Sequence, residues 1–407
     1  MEKKKPLITI LLSLLLLSVA LGYTIGQREA ATQTSVNEDD FLVGASYMTF
    51  LGTKIDIDWN STEPYIPTLG KYSSNDTTIV DQHIEWAIGS GIDFFFLDYG
   101  WATGNRSEKI ENAAIEGLLE AESMKNGDFK FCIFYFPDRV VDSGFVNKSR
   151  LEDDFRHINK TYFSRSGYLC LDDRFVVVLA DFPEYLDKTN STEEINSLFW
   201  DLEVNSNFSR SLYLIPAFWP CPTYQVYGVL SDKRKIYDAI TLWGQNTILE
   251  FNESITYSAY VNKTKLNLVM WSGIAYNFDV AFVPLICPGY NNTKYFNMGI
   301  RNYTAIVTRD LKGFREVCAL GREYSSSPYN IVLLFTWNDF NEATSIEPTT
   351  DYQYTYLNIT ALEFLLVVAF GARPGDSSWN QEADLNNDYA VDIFDIVLLA
   401  NNFGKTA

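Results

Sequence analysis

Two carboxylates three residues apart, Asp339 and Glu342, follow directly on an apolar run, Ile331–Trp337, in the segment Leu333-Leu-Phe-Thr-Trp-Asn-Asp-Phe-Asn-Glu-Ala-Thr-Ser-Ile-Glu-Pro348. Carboxylates at the exit of a buried strand cost desolvation energy unless paired or used. In barrel enzymes that end of a strand is where chemistry is done. Two carboxyls held near one bond are the minimal equipment for general acid–base hydrolysis of a glycoside. Each could raise the proton affinity of the other, with Trp337 and Phe340 keeping water away. A structural ion pair would give the same pattern, so the pair alone does not decide.

The elements that must hold this pair are legible as alternating strands and helices. Eight apolar runs occur at Phe41–Phe50, Ile92–Leu97, Phe129–Phe136, Phe175–Ala180, Leu212–Phe218, Ile236–Leu242, Val280–Ile286 and Ile331–Trp337. They are continuously apolar rather than alternating, as in a sheet covered on both faces. Helical spacing appears between them, at Thr77–Ser90 and Ser107–Met124. The pattern predicts an α/β fold, a (β/α)8 TIM barrel over residues 41–371. An open doubly wound sheet is the second choice; it usually carries a Gly-rich first turn, and no GxGxxG or P-loop is present. Polar and aromatic residues recur at the strand ends, among them Tyr47, Asp98, Tyr99, Trp101, Tyr135 and Trp243. With Tyr290 and Asn338 they are the candidate substrate-binding set, rings being suited to sugar faces. Any one of them could equally be strand-end packing. His83 reads as a helix residue packed on the barrel.

Composition narrows the function. With 32 basic against 52 acidic residues the formal charge is −20, which argues against nucleic acid. Lys3, Lys4 and Lys5 precede an uncharged, Leu-rich run to Gln27. Residues 1–27 therefore read as a signal peptide or an N-terminal membrane anchor, with Ser18-Val-Ala20 a candidate cleavage site. Residues 28–40 form a polar linker. Twelve Asn-x-Ser/Thr sequons occur, against about 4 expected by chance. Both features predict an exported, glycosylated protein, extracellular or at the cell surface. Five cysteines lack any CxxC and only two histidines are present, so a zinc site is not expected. Cys132 reads as a small core hydrophobe, and one or two disulfides are compatible with export.

The order of these motifs resembles glycoside hydrolase family 99, the endo-α-mannosidase-like barrels. The resemblance rests on Pro67-Thr-Leu-Gly-Lys-Tyr-Ser-Ser74 with His83-Ile-Glu-Trp-Ala87 and Gly91-Ile-Asp-Phe94, on Phe129-Lys-Phe-Cys-Ile-Phe-Tyr135, on Val283-Pro-Leu-Ile-Cys-Pro-Gly-Tyr290, and on Asn338–Pro348 beside the family loop NEWxEGTxIEP. It implies a retaining hydrolase acting inside α-mannoside chains, with the sugar's own 2-hydroxyl as nucleophile and no cofactor for catalysis. By motif position it gives Asp339 the role of base towards that hydroxyl and Glu342 that of general acid and then base; Glu347 falls where the family also has Glu. The chain departs from the family at Asp339 and Phe340, where the motif has Glu and Trp, at Asn341, and at Phe136, where relatives tend to place Glu after Tyr. A non-catalytic glycan-binding barrel or an envelope scaffold component is the alternative.

Residues 372–407 read as a separate piece. Asp384, Asn386, Asp388, Asp392 and Asp395 stand at positions 1, 3, 5, 9 and 12 of a loop, with the Ala390 carbonyl at 7. That is the oxygen spacing of a Ca²⁺ loop. An apolar helix from Ile393 to Phe403 follows. The segment resembles one repeat of a type I dockerin, an EF-hand-like unit, with Tyr389 where the loop usually has Gly. The resemblance implies structural Ca²⁺ and a cohesin-like partner, although dockerins usually carry two such loops.

Overall fold

The computed structural model describes residues 41–402 apart from 53–64, 101–113, 128, 137–140, 143–144, 188, 190, 206–207, 209, 244–252, 300, 327 and 377. The expected signal or anchor and its linker, and Trp101, lie outside the described residues. No described helix is long and apolar enough to cross a membrane.

The eight apolar runs form the staves of one parallel sheet: β1 (Leu42–Tyr47), β2 (Phe94–Tyr99), β3 (Lys130–Tyr135), β4 (Arg174–Leu179), β5 (Leu212–Phe218), β6 (Ala239–Leu242), β7 (Ala281–Val283), β8 (Leu285–Ile286) and β9 (Ile331–Leu334). Neighbours run β7-β6-β5-β4-β3-β2-β1-β9-β8. β7 and β8 are two halves of the seventh run, separated by Pro284, which has no N–H for the ladder. The first half pairs with β6 and the second with β9, so the two ends of the sheet meet in one stave. The result is a (β/α)8 TIM barrel, as the apolar runs predicted.

Helices cover the outside. α1 (Thr77–Ile88), α2 (Lys148–Thr161), α3 (Thr192–Asn205), α4 (Tyr224–Leu230), α5 (Tyr257–Phe278), α6 (Leu311–Tyr324) and α7 (Thr355–Ala361) follow β1, β3, β4, β5, β6, β8 and β9 respectively. Side-chain caps open some of them: Asp76 accepts from the Thr78 amide at 3.0 Å and Asp310 from the Gly313 amide at 2.6 Å. α7 continues through a π turn at Leu362–Leu366 to Ala369.

Two facings of the strands matter for function. Phe134 from β3 meets Trp243, just past β6, with ring centroids 5.4 Å apart, and Trp243 meets Phe335, just past β9, at 5.6 Å. Such contacts between non-adjacent staves cross the barrel interior. Phe94, Phe96 and Asp98 share that inner face with Gly44 and Ser46, by register. Gly44 is required there, because a Cβ would stand 2.3 Å from the Phe94 ring. The other facing packs outwards on helices: Tyr135 donates to Asp154 of α2 at 2.8 Å, and Tyr47 bonds His83 of α1 at 3.0 Å.

The C-terminal segment, ending in α8 (Ile393–Asn402), rests on the last barrel helix. Ala383, Val391 and Leu399 share one buried apolar cluster with Ala361, Leu365 and Leu366. All five cysteines are free thiols; Cys132, Cys287 and Cys318 are buried, Cys170 is half-buried and Cys221 exposed.

Candidate active site

Past β9 the chain turns into a compact loop that carries the acid pair. The Thr336 amide donates to the Thr344 carbonyl at 3.0 Å, and the Ile346 amide returns to the Thr336 carbonyl at 3.0 Å, closing the loop at its neck. The Thr336 hydroxyl receives the Asp339 amide at 2.8 Å. Amides of Thr344 and Ser345 reach the Asp339 carbonyl, at 3.1 and 3.2 Å. Ala343 takes the left-handed conformation, φ 54°, that this return needs.

Neighbours pin the loop from three sides. Asn338 clips the end of β1, its side-chain oxygen accepting from the Met48 amide at 2.7 Å and its nitrogen donating to the Met48 carbonyl at 3.3 Å. The Asn291 amide donates to the Glu342 carbonyl at 2.7 Å. Arg309 donates to the carbonyls of Ala343 and Ser345, at 3.2 and 2.7 Å. Its guanidinium is sandwiched among Tyr65, Tyr352 and Tyr356, 4.0–5.1 Å from the ring centroids.

Within this frame Asp339 is only 4% exposed, while Glu342 is half-buried. The Asp339 side chain accepts the amides of Asn341 and Glu342, both at 2.9 Å, on the same oxygen. Tyr290 donates to Glu342 at 3.1 Å. Arg301 is close enough to Glu342 for their charges to interact. Burial, and then the negative charge of Glu342, push the Asp339 carboxyl from its ordinary 3.8 up to about 7. The two loop amides and the positive charge of Lys294 work in the opposite direction. A carboxyl balanced near neutrality can exchange a proton in either direction at pH 7.

The expected drying rings are placed differently. Phe340 packs behind the loop in a cluster with Met48, Phe50, Leu51 and Tyr72, and Trp337 lies against Phe95 and His83 in the outer layer.

The expected substrate-binding residues that are described fall into four groups. Asp98 and Trp243 face the mouth of the barrel interior, Asp98 accepting from Ser46 at 3.3 Å and Trp243 half-buried against Phe134, Phe136 and Phe335. Tyr290 touches Glu342 directly. Tyr47, Tyr99 and Tyr135 belong to the outer layer: Tyr99 stacks on Tyr135 at 5.8 Å and meets Tyr162 at 6.1 Å, so none of the three is brought to the acids. Strand alternation sends neighbours such as Asp98 and Tyr99 to opposite faces. Asn338 is a backbone clip.

Sequence reasoning passed over Lys294 and gave Glu347 only its place in the family motif, with no partner; the fold supplies both with theirs. Lys294, buried, donates to Asn341 at 2.6 Å. Glu347 is fully enclosed, accepting from Tyr72 at 2.5 Å with the far nitrogen of His83 3.3 Å away. The hydroxyls of Tyr47 and Tyr72 are both held neutral, by burial first and the Glu347 charge second. No local spacing links residues so far apart in the chain.

A cavity of about 440 Å³ lies at the opposite end of the strands, between Asp172, Arg174, Tyr213, Asp238, Tyr276 and Tyr329. Its charges are already matched: Arg174 pairs with Asp238 at 2.6 Å and lies over the Tyr213 ring at 4.9 Å. That end of a barrel serves stability rather than chemistry.

In the C-terminal loop, Asp384 and Asp395 are buried and hold the turn. Asp384 accepts the amides of Asp388 and Tyr389, at 3.1 and 2.9 Å, and Asp395 those of Asn386 and Asp392, at 3.2 and 2.7 Å. Tyr389 adopts φ 66°, the left-handed turn that the loop usually assigns to Gly. Among the described residues no three acidic, His or Cys side chains converge as a metal-holding group. Asn386, Asp388 and Asp392 stay near the surface, and Ala390 is buried.

The comparisons bear on the barrel. A structure described as a glycoside hydrolase-like protein is similar at 21% identity, with TM-score 0.63, covering 83% of this chain and 97% of that one. Two structures of the family 99 endo-α-mannosidase of Bacteroides thetaiotaomicron are similar at 18% and 16% identity, with TM-scores 0.57 and 0.56, each covering 80% of this chain and 96% of that one. The barrel has a glycoside-hydrolase-like fold. At these identities the likeness is one of fold. No family model and no curated protein matches the chain.

The raised proton affinity of Asp339 has a consequence for stability. The unfolded carboxyl releases its proton near pH 4, the folded one near about 7. Over that interval the unfolded state binds fewer protons, so this group's contribution turns against folding as pH rises and levels off above it. Asp339→Asn keeps the two amide contacts and removes the charge. Its stability relative to wild type should improve between pH 5 and pH 8, by on the order of 1–3 kcal/mol, in urea titrations at the two pH values. A difference that does not change with pH would contradict the assignment.

Proposed function

We propose that this chain is an exported, retaining glycoside hydrolase that cleaves α-mannosidic or related α-glycosidic bonds in a polysaccharide or glycan. The observation that carries the proposal is the acid pair itself. Asp339, buried and balanced near neutrality, and Glu342, half-buried at the rim, leave the last strand of a closed barrel on one pinned loop. Trp243 and Asp98 face the same mouth, giving a ring and a polar group to a saccharide. The similarity to endo-α-mannosidase structures supports the choice of sugar. In this reading Asp339 takes the proton of the sugar's 2-hydroxyl, while Glu342 protonates the leaving oxygen and then activates water.

A second reading, a barrel that binds glycans without cleaving them, is favoured by one observation. One oxygen of Asp339 is committed to two amides, and its side chain is a methylene shorter than the glutamate of the family motif. Misplacement by about 1 Å can cost 10²-fold in rate. Turnover of α-mannan oligosaccharides separates the two readings. Asp339→Asn and Glu342→Gln should each lower kcat by at least about 10²-fold and leave the binding constant for the same oligosaccharide within a few-fold. Binding without turnover in the wild-type chain would favour the second reading, and unchanged turnover in both variants would discard the acid pair.

The C-terminal loop we propose as a structural Ca²⁺ site formed by Asp384, Asn386, Asp388, the Ala390 carbonyl, Asp392 and Asp395, with a cohesin-like protein as the partner its resemblance implies. Ca²⁺ bound to the folded loop should raise the thermal stability of the full chain, by linkage. Calorimetry with Ca²⁺ against an EDTA-treated sample should show about one ion bound, lost in Asp384→Ala. No heat and no shift in Tm would remove the metal from the account.

A further inference from the structure

We infer that Lys294 is a positioning residue of the acid pair: it holds the side chain of Asn341, whose backbone amide grips Asp339, and its positive end opposes the charge of Glu342 across that carboxyl. The inference rests on the reading of Asp339 as a working acid–base group, and it deepens that reading.

Lys294 lies in the short helix Thr293–Asn297, which follows directly on the strand residues Tyr290 and Asn291. That segment is fixed to the acid loop and to its own hairpin partner. The Asn291 amide holds the Glu342 carbonyl at 2.7 Å, and the Asn292 side chain accepts the Ala305 amide at 2.8 Å. The lysine is therefore carried to the loop on a framed backbone. Its side chain is buried, and its ammonium donates to the Asn341 oxygen at 2.6 Å. Its charge also acts on Asp339, where it opposes the effects of burial and of Glu342.

The charged groups around Asp339 come from several elements. Glu342 faces it from the same loop and Lys294 from the helix. Arg301 and Tyr290 face Glu342. Arg309 lies behind the loop on the Ala343 and Ser345 carbonyls, and the Cys287 thiol, pushed up to about 12 by burial, stays neutral beside it. Glu342 and Lys294 therefore act on Asp339 in opposite senses. Without Lys294, burial and the charge of Glu342 would raise the proton affinity of Asp339 further, both directly and through a loosened Asn341.

The test needs no substrate. In chain labelled with ¹³C at aspartate carboxyls, the Asp339 signal is identified by its loss in Asp339→Asn, and its midpoint is followed with pH. Lys294→Met and Lys294→Gln should move the midpoint upward by about one pH unit or more, a tenfold or greater gain in proton affinity. Lys294→Arg should hold it within a few tenths of a unit. A midpoint unmoved in the neutral variants, or moved as far by arginine, would overturn the inference. Failure of both neutral variants to fold while Lys294→Arg folds would also overturn it, by making the role structural. The expected shift in a chain that cleaves no α-mannoside would leave this inference standing and discard the hydrolase reading.

Discussion

The arrangement depends on a carboxylate that is taken out of water and met by the backbone of its own loop. Asp339 is tolerated at the end of β9 because two amides converge on one of its oxygens and a buried lysine stands nearby. Charge-assisted bonds of this kind are roughly twice as strong as neutral ones. The loop's closed neck, the Asn338 clip and the Arg309 clamp all hold that backbone in place. The barrel supplies the rigid staves; the loop supplies the electrostatics.

A second buried network stands behind the first. Glu347, Tyr72, His83 and Tyr47 connect the end of the acid loop with α1 and β1. Enclosed polar groups of this kind are costly when half-satisfied and specific when complete. Here they link two chain segments distant in sequence to the side of the barrel where the acids emerge. The Arg309 clamp, surrounded by three tyrosine rings, holds the return of the loop.

The staves were legible because a parallel sheet covered on both faces needs continuous apolar runs, and all eight stand out. The same property hid the facing of individual side chains. In a strand with both faces buried, hydrophobicity gives no alternation, so Tyr99 and Asp98 looked equally suited to the rim. Tyr47, Tyr99 and Tyr135 proved to pack outwards, whereas Trp243, read in the same way, faces inwards. The acid pair was legible because carboxylates directly after an apolar run are uncommon. Lys294 was not, and Glu347 stood out only as a motif position, because what defines each is a partner supplied by tertiary folding. The split of the seventh stave could have been read from Pro284, which interrupts the run where the ladder changes partner.

The central claim is that Asp339 and Glu342 open onto a saccharide site roofed by Trp243. A crystal structure of the chain with a mannose-configured iminosugar, whose ring cation mimics the charge of the glycosidic transition state, tests it most directly. The account predicts the sugar ring against Trp243, with its polar atoms within hydrogen-bond distance of both carboxylates. A ligand bound elsewhere on the chain, with the two acids untouched and facing protein, would contradict it.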